Sequence, residues 1–403
     1  MNTNLLHKTD LNDLPELPSK RECPFDPPPE YKHLRNEMPI SKVRTPHGDS
    51  AWLVTNHKDI RTVLADKRFS SNPQAAGFPS YISGDVPPPP GFFLQIDQPD
   101  HSRLRKVVTA EFLASHVETL RPRMQAIVDE QLETMLALAP PVDFVKVFAI
   151  PVAARIICEI LGIPQSDHDF VKDCTDIVLD RSQPADKTEK AATELMAYFD
   201  KIITEKENNP TDDLLGRMIN DAQDNADHNE MSGLAALLLL SAYDTMALAM
   251  GMGVVVLLEH QDQLNDFMHD PSLGNRMVDE LVRYLTINHT GLPRAATADV
   301  EVGGQLIKEG EGVIVMLSSG NRDEAAFKSP DEFNIHRNEK DHVGFGHGIH
   351  KCLGMHFARV ELSVSFRTIF EKIPTLKVEL PIEELSFRHE MVLYGINELP
   401  VSW

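Results

Sequence analysis

Cysteine is scarce in this chain. Only four occur in 403 residues, at Cys23, Cys158, Cys174 and Cys352, with no Cys-x-x-Cys pair and no regular spacing. This pattern does not indicate a disulfide framework. A reducing compartment is the simplest inference, and we expect a cytoplasmic protein.

Basic residues are also few. Lys and Arg total 39 against 61 Asp and Glu, which gives a formal net charge of −22. A surface this acidic repels phosphate backbones, so nucleic acid is not an expected partner. The remaining composition, 42% hydrophobic and 25% charged, is ordinary for a globular protein. A chain of this length buries a core without needing a metal or a disulfide for stability.

The beginning of the sequence lacks an apolar segment. Residues 1–30 are polar and proline-rich, without the hydrophobic core of a signal peptide or an anchor. No Gly/Ser linker or internal repeat divides the rest of the chain. We therefore predict a flexible N-terminal segment over residues 1–23 and one large domain over residues 24–403.

The hydrophobic pattern of that domain predicts a mainly α fold with a smaller β region. Apolar residues recur at helical spacing from Leu120 to Met135, and residues 151–161 end at a glycine, as helices commonly do. Strand patterns occupy 51–55, 300–307 and 312–317, with a further short run at 391–394. Residues 71–91 read as a long loop, typical of a lid or a binding loop.

The most apolar stretch is residues 234–258, which is long enough to span a bilayer. Ser241, Tyr243, Asp244 and Thr245 lie in its middle, and one central Asp costs about 2.5–3.5 kcal/mol on insertion. We therefore predict a buried central helix and no membrane span. A polar cluster inside a buried helix needs a functional reason.

A second unusual segment surrounds Cys352. Glycines alternate at positions 344, 346 and 348, and a helix pattern follows from residue 355, so the cysteine precedes a helix N-terminus that favours its thiolate. Three readings are open from these residues: a buried structural cysteine, a zinc site, or a haem iron bound by one thiolate. Zinc would draw on four nearby histidines, namely His342, His347, His350 and His356.

The segment Phe345-Gly346-x-Gly348-x-His350-x-Cys352-x-Gly354 resembles the cysteine-ligand loop of the cytochrome P-450 family. Three further segments resemble motifs of that family, in its order: His101-Ser102-Arg103-Leu104-Arg105, Ser241-Ala242-Tyr243-Asp244-Thr245 and Glu280-x-x-Arg283. The resemblance extends from about residue 24 to residue 403 and is closest to the soluble bacterial members.

The resemblance implies haem b as the cofactor, with Cys352 as the axial ligand of its iron. It implies that four further residues reach the haem propionates, namely His101, Arg105, Arg294 and His350. Glu280 and Arg283, which by spacing alone are an ordinary surface pair, would be buried and would join Arg337 to brace the cysteine loop.

Asp244 and Thr245 would relay protons to bound oxygen, although a Thr inside a helix often only bonds back to its own helix carbonyl. Two positions depart from the family pattern: Ala242 replaces the usual glycine, and Met246 replaces a second hydroxyl residue.

The implied activity is insertion of one atom of O2 into an apolar small molecule, by hydroxylation or epoxidation, as in secondary metabolism. Electrons would come from a separate ferredoxin or flavodoxin, because no Gly-x-Gly-x-x-Gly nucleotide fingerprint is present. A basic docking patch is one reading of Arg105, Lys106, Lys351 and Arg359, and a scattered solvated surface is the other. Pocket candidates by the same likeness are Phe92, Leu238, Ser241, Ala242, Leu292, Val392 and Leu393.

Three alternative functions stay open on the same scaffold. One is a nitric oxide reductase, like some fungal relatives, and another is a peroxygenase. A third is a haem sensor without catalysis, which would need no proton relay.

Overall fold

The computed structural model describes residues 11–79, 88–180, 183–222, 224–389 and 391–403. Helices account for most of these residues, as predicted. The helices are α1 (Glu30–Glu37), α2 (His57–Ala65), α3 (Asp100–Thr109), α4 (Ala114–Leu136), α5 (Ile150–Leu161), α6 (His168–Leu179), α7 (Ala185–Asn208), α8 (Leu214–Ala222), α9 (His228–Glu259), α10 (Gln261–His269), α11 (Gly274–Leu285), α12 (Leu317–Gly320) and α13 (Met355–Lys372).

The β region is small and lies mainly in one five-stranded sheet of order β1-β2-β8-β5-β3. Strands β2 and β8 pair in parallel, and the other neighbours in this sheet are antiparallel. A three-stranded sheet (β4-β10-β9) and the hairpin β6–β7 complete the described strands. The strands are β1 (Ile40–Arg44), β2 (Ser50–Val54), β3 (Phe69–Ser70), β4 (Val142–Asp143), β5 (Leu292–Ala296), β6 (Val300–Val302), β7 (Gln305–Ile307), β8 (Gly312–Val315), β9 (Lys377–Val378) and β10 (Pro400–Ser402).

The strand predicted at 391–394 is wrong. In this segment only Leu393 makes an isolated bridge, to Asn288. The apolar run at 312–317 likewise stops as a strand at Val315, because α12 begins at Leu317. Short apolar runs do not by themselves distinguish a strand from other buried segments.

Helix α9 is the buried axis of the helical body. Its start is fixed by a capping box, in which Asp227 accepts from the backbone N–H of Glu230 and Glu230 accepts from that of Asp227. By length and hydropathy α9 is the one described helix able to cross a bilayer, but 72% of its most apolar window is buried inside the protein. The burial identifies it as a core helix.

Residues 1–10 of the predicted flexible segment lie outside the described residues. From Pro15 onward the segment packs on the domain. Leu17 donates a backbone hydrogen bond to Arg44 (3.0 Å), and Arg44 donates one to Pro15 (2.8 Å). Arg21 is buried, with its guanidinium 4.1 Å from the ring centre of Tyr394. These contacts place residues 15–23 against the domain, and a flexible segment over residues 1–23 stays a prediction.

Candidate active site

The loop before α13 presents the sulfur of Cys352. A single 3₁₀ turn over Gly348–His350 precedes it, and the Cys352 N–H donates to the Phe345 carbonyl at 2.8 Å. Gly348 has φ +72°, and a Cβ there would lie 2.2 Å from the Leu64 carbonyl oxygen. Only glycine fits that position. The bond from Cys352 to Phe345 closes the loop, and Gly348 packs directly against the backbone at the end of α2.

The Cys352 side chain opens onto accessible space, yet it is densely surrounded by protein atoms. This burial raises the pKa of the thiol, while the Gly354 backbone N–H and the nearby Arg105 act in the opposite direction. Burial outweighs the helix-terminus effect expected from the sequence. A bound metal cation would stabilise the thiolate against this burial, because metal ligation requires the deprotonated sulfur.

Three side chains with nitrogen donors lie beside this loop, and His101 and His350 have ring nitrogens without partners among the described residues. His101 is 1% exposed, neither of its ring nitrogens has a hydrogen-bond partner among the described residues, and its ring centre lies 4.3 Å from that of His350. His350 Nε2 lies 3.0 Å from Ser71 Oγ, while its Nδ1 has no partner in the same described set. Arg294 is also buried and donates to the carbonyl of its own neighbour, Pro293, at 2.7 Å.

Burial dominates the electrostatics of these donors. It lowers the pKa of His101 to about 4 and that of His350 to about 3, and it lowers the pKa of Arg294 to about 10. Both imidazoles are therefore neutral near pH 7, each with one N–H to donate. Unsatisfied buried donors are costly, and a carboxylate is the acceptor that relieves this cost best.

Arg105 plays a different part from these three residues. Its guanidinium donates to the carbonyls of Ile349 (3.0 Å) and Lys351 (2.6 Å), and so fastens α3 to the cysteine loop. Arg103, in the same sequence motif, turns away and pairs with Glu230 at 2.7 Å. A contact between Arg105 and a propionate stays a prediction.

Glu280 and Arg283 form a buried ion pair at 2.7 Å, with side chains 3% and 1% exposed. Arg337 joins them, with Nε 3.1 Å from Glu280 Oε2. Arg283 also donates to the carbonyls of Asn321 and Pro330. The three residues tie α11 to the segment that leads into the cysteine loop, and the pair is not on the surface.

The polar cluster in the middle of α9 divides over different faces of the helix. Ser241 is exposed and Thr245 partly exposed, although most of the helix is buried, so this face meets accessible space. The Thr245 hydroxyl donates to the Ser241 carbonyl at 2.6 Å. This is the bond to its own helix carbonyl that a Thr inside a helix often makes. Tyr243 points elsewhere and donates to Asp176 on α6 at 2.6 Å.

Asp244 is buried and pairs with Arg388, Nη1 to Oδ1, at 2.8 Å. Burial raises the pKa of this carboxyl, and the Arg388 charge partly offsets the rise. Sequence reasoning missed Arg388, because it belongs to no motif. The one available signal was indirect: a charged side chain inside an apolar helix requires a partner.

The predicted pocket residues occupy several elements. Ala242 and Phe92 are partly buried and pack against the main hydrophobic core, to which the buried Leu238 belongs. Leu292 begins β5, and Leu393 bridges to Asn288 shortly before that strand. Val392 is half-buried beside Leu393. Residues 80–87 of the predicted binding loop lie outside the described residues, and a shared pocket stays a prediction.

The donor set fits one kind of cofactor. A thiol sulfur stands beside two neutral histidines that have ring nitrogens without partners among the described residues, and beside a buried arginine that bonds to a backbone carbonyl. This set suits a flat group with a metal centre and two carboxylates. Zinc has no support in the described part of the chain, where no group of three or more His, Cys, Asp or Glu is placed to hold a metal ion. The arrangement matches haem.

Comparison with known proteins gives the same answer. A family model described as "Cytochrome P450" matches residues 263–375. The "Vitamin D3 dihydroxylase" of Streptomyces griseolus is 37% identical over 396 residues, covering 97% of each chain. The "20-oxo-5-O-mycaminosyltylactone 23-monooxygenase" of Streptomyces fradiae is 36% identical over 388 residues, covering 96% of this chain and 92% of that protein. The crystal structure of cytochrome P450 MoxA from Nonomuraea recticatena superposes with a TM-score of 0.90 at 42% identity, over 96% of this chain and 98% of that one.

Proposed function

Because this chain belongs to the cytochrome P450 family, we propose that it hydroxylates or epoxidises an apolar natural product with electrons from a separate ferredoxin or flavodoxin. The family fixes the broader class: the protein is a monooxygenase that uses haem b. The observation that carries the proposal is the cysteine thiol beside His101 and His350, which have buried ring nitrogens without partners among the described residues.

The residues that would hold haem follow from their positions. Cys352 would bind the iron through sulfur, and His101, His350 and Arg294 would donate to the two propionates. Arg105 would keep the cysteine loop in place through its bonds to the Ile349 and Lys351 carbonyls. When bound, haem with a thiolate ligand supplies oxygen activation, because the thiolate pushes electron density that favours O–O cleavage.

The chain's own contribution to that chemistry is proton delivery from α9. The Thr245 hydroxyl donates its proton to the Ser241 carbonyl, so its oxygen lone pairs stay free to accept a hydrogen bond on the accessible face. Asp244 is the adjacent acid, and burial moves its pKa upward from the ordinary value. A carboxyl shifted in this direction is better matched to proton transfer near neutral pH.

The substrate class rests on the relatives and on the predicted wall. Two relatives are named for acting on vitamin D3 and on 20-oxo-5-O-mycaminosyltylactone. The proposed wall is mostly apolar, with Ser241 as its one hydroxyl group. We therefore place the substrate among apolar small molecules of secondary metabolism that carry at least one polar group.

Exposed lysines beside the cysteine loop support a separate protein electron donor. Lys106 and Lys351 are exposed, whereas Arg105 and Arg359 are held by the protein, Arg359 by Asp279 at 2.8 Å. Two free lysines on an otherwise acidic protein offer a local docking point for an acidic ferredoxin or flavodoxin. Such a donor would share the cytoplasm with this chain.

The test is reconstitution with a surrogate ferredoxin and ferredoxin reductase. Compounds are first screened for a shift of the haem absorption band, and the best ligand is then incubated under isotopically heavy O2. We expect a product with one heavy oxygen atom, and no label when only the water is heavy. Label from water alone, or NADH-dependent nitric oxide reduction without product, would overturn the proposal.

A further inference from the structure

The partner of Asp244 comes from a distant part of the chain. Arg388 lies 144 positions further along, in what we call the C-terminal hairpin: residues 387–396, of which residue 390 lies outside the described residues. Phe387 and Ile396 face each other across this hairpin in an antiparallel bridge, and Arg388 donates its backbone N–H to the Gly395 carbonyl at 2.9 Å. The guanidinium therefore extends from a defined backbone position.

The hairpin is held by contacts within itself and with distant parts of the chain. Tyr394 is fully buried and stacks on Phe387, with ring centres 5.6 Å apart and planes 3° apart. Arg21 of the N-terminal segment covers the Tyr394 ring. His289 Nε2 lies 2.6 Å from the Met391 carbonyl. These contacts hold the base and one edge of the hairpin and leave Arg388 directed at α9.

Few charged groups face the Asp244 carboxyl. Arg388 is its only ion-pair partner among the described residues. Asp176 on α6 acts on Asp244 with the opposite sign, and it is itself bound by Tyr243 of α9 and by Lys172 of α6 at 2.8 Å. Removing Arg388 would leave a buried acid with burial and Asp176 both opposing its ionised form.

We propose that Arg388 is a positioning residue for proton delivery, which holds the Asp244 carboxyl ionised and directed at the C-terminal hairpin between turnovers. This inference rests on the role proposed above for Asp244. The hairpin also carries Val392 and Leu393, two predicted pocket residues. Through Arg388, the hairpin that carries these two predicted pocket residues would also set the protonation state of the acid.

The direct test is an infrared pH titration of the haem-loaded enzyme, in which the protonated Asp244 carboxyl band is assigned by its loss in Asp244→Asn. In Arg388→Ala the midpoint should move to higher pH, because the stabilising charge is gone while the burial remains. Arg388→Lys should return the midpoint toward the wild-type value. Arg121→Ala, which removes an exposed arginine paired with Glu118, is the control and should not move it. A midpoint in Arg388→Ala that is unchanged or lower would overturn the proposal.

The second readout is the share of NAD(P)H electrons released as peroxide, measured with the surrogate donors and the best ligand of the screen. Arg388→Ala should raise this share, but by less than Asp244→Asn does, because the acid itself is still present. Added to Asp244→Asn, it should cause no further change, since a positioning residue acts only through its partner. An additive effect would contradict the proposal.

The two proposals fail in different ways. If Arg388→Ala does not fold, Arg388→Gln keeps a side chain of similar length without the charge and should give the same upward shift. An unmoved midpoint in an enzyme that still incorporates labelled oxygen would refute only the role of Arg388. Absence of labelled product from the wild type would refute the proposed function and leave the infrared result standing.

Discussion

The two sides of the site are built differently. On the sulfur side, the cysteine loop, the Glu280–Arg283–Arg337 cluster and the donors His101 and His350 are assembled mostly from short motifs, and the three cluster residues are almost fully buried. On the α9 side, Asp244 depends on Arg388 from a separate hairpin, and Thr245, among the described residues, bonds within its own helix. The sulfur side fixes which cofactor fits. The α9 side depends on a contact between segments that lie far apart in the chain.

The largest effect should come from the brace on the sulfur side. Arg283→Ala removes one of the two arginine partners of the buried Glu280 and takes a donor from three carbonyls, so it should cost about 3–5 kcal/mol of unfolding free energy. Urea unfolding of the haem-loaded protein, followed by haem absorbance, measures this. Arg121→Ala, which breaks a half-exposed pair with Glu118, should stay within about 1 kcal/mol. Equal losses of unfolding free energy in the two variants would show that the buried cluster does not stabilise the fold.

A smaller loss is expected at the donors that would face the cofactor carboxylates. Arg294→Leu removes one charge-assisted hydrogen bond, about 1.5–3 kcal/mol, so haem should leave about 10- to 100-fold faster. Transfer of haem to an excess of apomyoglobin measures the rate. Arg103→Leu, in the neighbouring motif but paired with Glu230, is the matched control and should not change it. The same acceleration in both variants would contradict the assignment of Arg294.

On the α9 side, Thr245→Ala should uncouple the enzyme without loosening haem. Loss of the hydroxyl removes the proposed acceptor on the accessible face, so most electrons should end in peroxide. Thr204→Ala on α7 is the control. It removes a hydroxyl that bonds back to the Asp200 carbonyl at 2.9 Å, outside the candidate site, and it should not change coupling. Thr245→Ser should restore coupling. If peroxide does not rise in Thr245→Ala, the relay is elsewhere or the protein is a haem sensor.

The smallest effect should come from Ala242→Gly, which introduces the residue usual in the family. Glycine inside a helix costs about 0.5–1 kcal/mol, and the lost methyl should change peroxide release only slightly. Ala249→Gly, also partly buried on α9, has the same helix cost and is the control. Thermal unfolding and the peroxide assay separate the two effects. A change in peroxide release as large as that of Thr245→Ala would move the control of oxygen geometry to position 242.

The sequence was sufficient where function lies in local motifs. The loop around Cys352 requires alternating glycines within a few residues, and this requirement is visible in one segment. Glu280 and Arg283 are one helix turn apart, but their burial depends on Arg337, 57 positions from Glu280, and on carbonyls 38 and 47 positions from Arg283. The resemblance to the cytochrome P-450 family predicted that burial, whereas the spacing alone indicated a surface pair.

Contacts between distant segments could not be predicted. Arg388 reaches Asp244 across 144 positions and carries no local pattern. Arg21 packs on Tyr394 although its segment is polar and proline-rich, which by composition indicates a flexible lead-in. The run at 391–394 is apolar because it packs in the hairpin, and it forms no strand. In each case packing between remote parts of the chain overrides the local preference.

The central claim is that the Cys352 sulfur binds the iron of haem. The most direct measurement is the absorption spectrum of the haem-loaded protein, reduced with dithionite under carbon monoxide, for the wild type beside Cys352→His. Ligation by the Cys352 thiolate predicts a strongly red-displaced band in the wild type and its absence in the variant. A wild-type spectrum without that displacement, or a variant that keeps it, would show that Cys352 is not the ligand.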